Sequence, residues 1–241
     1  MSSVIEHYAR HLGPVYTWMA GGVDAAFERG SAELDAIGAM PAGSRAAIDL
    51  GAGFGMHAVP LARRGFSVLA IDTSTLLLEE LRARKNDLTI QTVQDDLLSF
   101  QQHSKGNAEL ILCMGDTLAH LPDKASILQL ISAVADELDA AGRFVVSFRD
   151  YSIPLLAEQR FIPVRSDENR VLTCFLEYSD SHVTVYDILH EKDGTRWQQR
   201  VSSYRKLRLS PQWVMDSIRS AGLNVHQEPG MAGMIRLIAQ R

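Results

Sequence analysis

The chain has 241 residues, of which 46% are hydrophobic and 22% charged, a balance typical of folded globular proteins and far from that of disordered chains. The length fits one large domain or one domain carrying a substantial insertion. With 24 Lys and Arg against 29 Asp and Glu, the net charge of −5 supplies no overall field that would gather a phosphate backbone, so nucleic acid is not an expected partner. Two cysteines, Cys113 and Cys174, make no disulfide framework or metal-ligand pattern, and both read as small buried apolar residues. The opening MSSVIEHYARHLG lacks the basic start, apolar run and cleavage site of a secretory signal, and no run of 18 apolar residues occurs. The expectation is a cytoplasmic protein without a membrane partner.

In chain order, residues 1–40 read as a helical cap. Val4, Tyr8, Leu12, Val15 and Met19 recur along one helical face, with a break expected near Gly13–Pro14. From 45 to 150 strands alternate with helices. Strands are expected at AAIDL (46–50), SVLAI (67–71), LTIQTV (88–93), ELILCM (109–114) and RFVVSF (143–148). Helices are expected from Met56 to Arg64, over 75–85 and over 124–138. Short Val-, Ile- and Leu-rich strands separated by helices indicate a parallel sheet covered on both faces, an open doubly wound α/β core that binds ligands beyond the carboxyl ends of its strands.

Between 160 and 208 polar and apolar residues alternate in RVLTCFLEY and SHVTVYDILHE, and Asp193–Gly194 supplies a hairpin signal. An antiparallel β insertion is expected there. A helix opening at Ser210–Pro211 and stopping at Gly222 follows, then strands LNVHQE and MIRLIAQ that rejoin the main sheet. The whole of 1–241 thus reads as a single domain, with residues 209–241 completing the core.

The most informative stretch is AIDLGAGFGMHAVPLARRGFSVLAIDTS (47–74), where an apolar strand runs through Gly51, Gly53 and Gly55 into a helix. Glycines at such a turn permit positive φ and remove Cβ atoms, so a ligand can lie against the backbone at a helix N-terminus. A dinucleotide fingerprint starting at Gly51 requires a small residue at position 56, and Met56 stands there. Asp49 adds a carboxylate suited to a cationic ligand and unhelpful beside pyrophosphate. Asp72 ends the next strand, placed to accept hydrogen bonds from both hydroxyls of a ribose. A carboxylate for an ammonium, glycines for close approach and a carboxylate for a ribose describe S-adenosylmethionine better than a nicotinamide dinucleotide. The competing reading makes Asp49 and Asp72 helix caps, and Asp95 or Asp96 a solvated turn acid.

On these residues the sequence resembles the class I S-adenosylmethionine-dependent methyltransferases, over nearly all of 45–150. The resemblance extends to VQDDLLSF (93–100), similar to the family's acidic motif after the third strand, and to LILCMGDTLAHLPD (110–123), similar to its segment after the fourth. It implies a Rossmann-like fold and a cofactor shell of Asp49, Gly51, Ala52, Gly53, Asp72 and Thr73. Asp96 would hold the adenine amino group, with Leu97 beside the ring and Met114 also in the cofactor shell. Tyr8 and Tyr16 of the cap, with Trp18, either close over this pocket as an aromatic wall or pack as core.

Within that family GDTLAHLPD resembles the GNSFAHLPD pattern of glycine N-methyltransferases, and SFRDYS (147–152) their Arg-Asn-Tyr segment. Carried over, Asp116 and Arg149 face the acceptor, Tyr8 joins them, and His120 lines the cofactor pocket. Asp116 replaces a neutral Asn, which implies either a more cationic acceptor or a carboxylate that accepts a proton; Asp116 and His120 are therefore the candidate catalytic pair. Arg149 offers a planar fork to a substrate carboxylate, or else pairs with Asp150 or Asp116. No arginine stands where those enzymes use one on the cofactor's carboxylate. His57 fits a solvated position as well as the pocket.

The expected reaction is methyl transfer to a small-molecule acceptor, at nitrogen or alternatively at oxygen. A tRNA or rRNA methyltransferase is the nearest rival, but CMGD (113–116) stands where base N-methylation places Asp/Asn-Pro-Pro-aromatic, and neither cysteine follows a proline. No tyrosine has a lysine four residues later, which removes a short-chain dehydrogenase. A non-catalytic S-adenosylmethionine-binding module is the alternative from a different class. Phe175, Tyr178, Tyr186, Trp197 and Tyr204 of the insertion form an acceptor pocket, a lid or the face of a homodimer; periodicity does not separate these.

Overall fold

The computed structural model describes residues 3–241, so Met1 and Ser2 of the expected cap lie outside the described residues. Five parallel strands form first: β1 (Ala46–Leu50), β2 (Ser67–Asp72), β3 (Ile90–Gln94), β4 (Ala108–Cys113) and β5 (Leu138–Phe148). Four antiparallel strands follow as a sheet of their own, β6 (Phe161–Ser166), β7 (Arg170–Tyr178), β8 (His182–Asp193) and β9 (Arg196–Leu207). The last two, β10 (Asn224–Pro229) and β11 (Ile235–Gln240), return to the main sheet, where β11 runs antiparallel to β5. The seven-stranded order is β10-β11-β5-β4-β1-β2-β3.

β1 therefore lies between β2 and β4, with Ile48 opposite both Leu69 and Ile111. Connections leave β1 and β4 in opposite directions, and this switch opens a crevice at the carboxyl ends of the strands. The pleat divides the core in two. Ile48 and Leu50 pack beside Phe144 and Phe148 on one face, whereas Ala47 packs with Phe54 and Leu61 on the other.

The helices in chain order are α1 (Val4–His7), α2 (Gly13–Met19), α3 (Val23–Ala36), α4 (Ala58–Arg63), α5 (Thr75–Arg84), α6 (Lys124–Glu137) and α7 (Pro211–Ser220). Side chains of α3, α4 and α5 cover one face of the main sheet, and those of α6 and α7 the other. Ser74, Asp123 and Ser210 cap α5, α6 and α7 through the backbone N–H groups of Leu77, Ser126 and Trp213.

Five sequence expectations need correction. The cap does not break at Gly13–Pro14: residues Tyr8–Leu12 form a wide π turn in which the Gly13 N–H reaches the Tyr8 carbonyl. That turn accommodates the missing N–H of Pro14, and the break falls at Gly21–Gly22, both at positive φ. The helix after the glycine turn starts at Ala58, not Met56, because residues 51–57 are used by the turn. The third strand starts at Ile90 and the fifth at Leu138, each displaced from its apolar run. Cys174 is not fully buried; its thiol donates to Asp187 Oδ1 at 2.7 Å.

Candidate active site

A cavity of about 750 Å3 opens at the carboxyl ends of β1, β2, β3 and β4, roofed by the N-terminal cap and walled by the second sheet. Its floor is the glycine turn. Gly51 has φ +79°, and the N–H groups of Gly51 and Ala52 both donate to the Ile71 carbonyl at 2.9 Å. A Cβ on Gly51 would lie 2.5 Å from Thr117 Cγ2 and 2.7 Å from its Oγ1. Only glycine allows the β1 and β4 loops to approach this closely.

Asp72 closes the floor from the neighbouring strand. Its Oδ2 accepts the Gly53 N–H and its Oδ1 the Ser74 N–H, each at 2.7 Å. These bonds lock the carboxylate on the cavity wall with further lone pairs available. Burial raises its pKa above the ordinary carboxylate value, against the pull of those N–H groups.

After β3 the two neighbouring acids separate in role. Asp95 Oδ2 is held by His103 Nε2 at 2.7 Å, and its Oδ1 accepts the Asp96 N–H. Asp96 Oδ1 caps the following turn through the Leu98 N–H at 2.9 Å. Its Oδ2 has no protein partner among the described residues. Both acids reach the cavity, beside Leu97.

A collar of rings crosses the middle of the cavity. Tyr8 lies 5.7 Å from Tyr16 and 5.8 Å from His120, between ring centroids, and Tyr204 of β9 lies 5.5 Å from His120. Burial raises the pKa of both Tyr8 and Tyr16, so both phenols stay protonated at neutral pH. Burial, with Lys206 nearby, pushes the His120 imidazole down to about 3. It is neutral under ordinary conditions.

Asp116 sits just behind this collar at φ +76° and 4% exposure. Its Oδ2 accepts Lys206 Nζ at 2.5 Å and the Tyr151 hydroxyl at 2.9 Å; its Oδ1 accepts the Arg149 N–H at 3.0 Å. Burial alone would raise its pKa, but the Lys206 ammonium outweighs burial and holds it down at about 2. Lys206 is correspondingly pushed up by Asp116 despite its own burial. The pair stays ionised across the working pH range.

Residues 47–139 match a family model described as a methyltransferase domain. This stretch of the chain is therefore similar to a methyltransferase domain. Among curated relatives, a glycine/sarcosine N-methyltransferase of Parasynechococcus marenigrum (strain WH8102) is 25% identical over 111 residues, 45% of this chain and 39% of that protein. The glycine N-methyltransferase of Oryctolagus cuniculus is 26% identical over 127 residues, 45% of this chain and 42% of that protein. The matched region thus spans about two fifths of those relatives' length. Solved structures extend the likeness of fold to nearly the whole chain. The CcbJ methyltransferase of Streptomyces caelestis superposes with a TM-score of 0.79 at 19% identity, covering 97% of both chains. A sugar N-methyltransferase from Streptoalloteichus sp. gives 0.72 at 14% identity, covering 95% of this chain and 92% of the other.

The cavity wall gathers Gly51, Ala52, Gly53, Asp72 and Thr73 from the floor, Asp96 and Leu97 from the β3 loop, and Met114 and His120 from the β4 loop. Tyr8 and Tyr16 of the cap also line it. Three expected site residues do not. Asp49 lies under the turn, 1% exposed, with Oδ2 unpartnered among the described residues and a pKa pushed up to about 6 by burial against the pull of His57. Asp116 is spent on Lys206 and Tyr151 and is not positioned as a proton acceptor. The Arg149 guanidinium turns to the Ala232 carbonyl at 3.2 Å, so it neither faces the cavity nor pairs with Asp150 or Asp116.

Trp18 leaves the aromatic wall as well. Its Nε1 donates to Asp167 Oδ2 at 2.5 Å, with the Arg165 and Arg170 guanidinium groups each 5.7 Å from the ring centroid, which fastens the cap to the second sheet. His57 is 6% exposed and pairs with Glu33 at 2.7 Å, so it is not solvated.

Sequence reasoning missed Lys206, His182 and Arg205. Lys206 follows Tyr204 by two residues on β9, an inward register that alternation alone marks as a buried lysine in need of a carboxylate. Among the described residues no cluster of His, Cys, Asp and Glu fits a metal ion, and no helix is long and apolar enough to cross a membrane.

Proposed function

We propose that this protein transfers a methyl group from S-adenosylmethionine to nitrogen on a small-molecule acceptor. One observation carries the reading: the glycine turn, the locked Asp72 carboxylate and the free oxygen of Asp96 meet in a single cavity at the strand ends. The residues fit the cofactor. Gly51 and Gly53 carry no Cβ at the turn, Asp72 would accept from the ribose hydroxyls, Asp96 Oδ2 would accept from the adenine amino group, and Leu97 would pack beside the ring. The neutral rings of Tyr8 and Tyr16 suit a positively charged sulfur, since ring faces attract cations.

When bound, S-adenosylmethionine supplies an already electrophilic methyl group. The protein's part is to align the acceptor, exclude water with the cap and avoid stray protonation. The collar provides no strong base: His120 is held at about 3, Asp116 at about 2 and the phenols are pushed up. A neutral amine attacks through its lone pair and sheds its proton afterwards, whereas a hydroxyl must be deprotonated first. The chemistry of the collar therefore favours nitrogen over oxygen. The glycine N-methyltransferases and the sugar N-methyltransferase among the similar proteins agree with this choice. Incubation with S-adenosylmethionine and a panel of primary amines and phenols, read by mass spectrometry, tests it. Amines should gain 14 mass units, on the order of one CH2 group, while phenols stay unmodified. Phenol methylation without amine methylation would reverse the assignment.

A further inference from the structure

The cavity is electrically lopsided. Asp72, Asp95 and Asp96 crowd one end, whereas Arg205 is the one Lys or Arg among the described residues of its wall. Arg205 pairs with Thr184 across β8 and β9, and His182 lies two residues along β8 on the same face. Both side chains line the cavity.

Three other cations on this part of β9 and just beyond its end are engaged. Arg200 pairs with Glu191, Lys206 with Asp116, and Arg208 holds the carbonyls of Ser179, Tyr151 and Ser152. Arg205 has no hydrogen-bond or ion-pair partner among the described residues. His182 is held in place: its carbonyl accepts the Ser179 N–H at 2.9 Å and its Nδ1 lies 2.8 Å from Ser181 Oγ. With Nδ1 accepting from that hydroxyl, Nε2–H is the donor left for a ligand.

Apolar side chains of Val4, Ile5, Leu121 and Pro122 line the same cavity. They suit an acceptor with a short hydrocarbon linker. One permanent positive charge and a planar fork match a monoanion with two equivalent oxygens.

We propose that the acceptor carries a carboxylate, separated from its nucleophilic nitrogen by an apolar linker, and that Arg205 and His182 bind that carboxylate. The proposal rests on the methyl-transfer reading above and names the substrate class. It gives Arg205 the anion-binding task for which the motif pointed to Arg149.

The test uses the full chain saturated with S-adenosylhomocysteine, so that the cofactor's own carboxylate is already placed. Unbranched ω-amino carboxylic acids of three to eight carbons are titrated beside alkylamines of the same length, read by calorimetry and by the His182 ring resonance. At one chain length the amino acid should bind at least about tenfold more tightly than its alkylamine and shift the His182 resonance. R205Q should abolish that difference and leave S-adenosylhomocysteine affinity unchanged, and R205K should restore part of it. A carboxylate that gives no advantage at any length, or an advantage that survives in R205Q, overturns the proposal while the methyl-transfer reading stands. Weaker S-adenosylhomocysteine binding by R205Q would assign the arginine to the cofactor and also overturn it. Failure of the unmodified protein to bind S-adenosylhomocysteine would overturn the methyl-transfer reading itself, and this proposal with it.

Discussion

Replacing Lys206 by Met removes the partner of a carboxylate that pairs with no other cation among the described residues. The two side chains are 10% and 6% exposed, and Nζ lies 2.5 Å from Oδ2. At an effective dielectric of about 20 their gross attraction is on the order of 7 kcal/mol, much of it offset by the desolvation of both charges. Removing one partner of such a pair costs about 3–5 kcal/mol, because the other charge stays buried and uncompensated. In Lys206→Met, the burial of Asp116 is opposed mainly by its hydrogen bonds from the Arg149 N–H and the Tyr151 hydroxyl, so its pKa should move from about 2 to above the ordinary value of 3.8. The folded state then takes up a proton more readily than the unfolded chain. Part of the lost stability should return as pH falls through the new folded pKa toward the unfolded one. Urea unfolding at pH 8 and pH 5 measures this, with the double variant Lys206→Met/Asp116→Asn as control. The double variant should recover most of the loss and show no such pH dependence. A loss under about 1 kcal/mol in the single variant, at the level of an exposed ion pair, would refute the buried-pair account.

Three further outcomes follow from the same geometry. Gly51→Ala imposes φ +79° on a residue with a Cβ and presses it against Thr117, so stability should fall by about 1–3 kcal/mol and cofactor affinity with it; wild-type values for both in denaturant titration and calorimetry would contradict the close approach. Asp96→Ala should weaken S-adenosylhomocysteine binding about tenfold or more, whereas Asp95→Ala acts mainly by releasing His103; equal effects would remove the distinction drawn from Asp96 Oδ2. His120 has its folded pKa depressed from 6.5 to about 3, so the unfolded chain binds a proton in that window that the folded chain refuses. Its stabilisation is present above pH 6.5 and is lost as pH falls toward 3. His120→Asn should therefore flatten the acid limb of stability by up to about 1.4 kcal/mol per pH unit, and an unchanged slope would show that the imidazole is not buried as a neutral group.

Much of the core was readable because it is written in local periodicity. Apolar runs such as AAIDL and SVLAI can pack on both faces only inside a covered parallel sheet, and both became strands where expected. Glycines fixed the turn, since Gly51, Gly53 and Gly55 all adopt positive φ. The carboxylate of Asp72 was visible because its strand end is a fixed distance in sequence from the turn it faces. Partner choice was not visible. Arg149, Asp116 and Lys206 lie far apart in the chain, and only the second sheet brings the lysine to Asp116 and leaves the arginine facing Ala232. A motif can place a residue after a strand; it does not say which charge arrives from an insertion to neutralise it. The Gly13–Pro14 break failed for a related reason. Tertiary packing of Leu12 and Val15 against Leu172 and Leu189 keeps the helical path continuous where a proline would end an isolated helix.

The proposed ribose grip of Asp72 is tested most directly by calorimetry with S-adenosylhomocysteine and with its analogue lacking both ribose hydroxyls, on the unmodified protein and on Asp72→Ala. Two charge-assisted hydrogen bonds predict a loss of about 2–4 kcal/mol for the natural ligand in the variant. The hydroxyl-free analogue should bind both proteins alike. Equal affinity of S-adenosylhomocysteine for the two proteins, or an equal loss for both ligands, would contradict it.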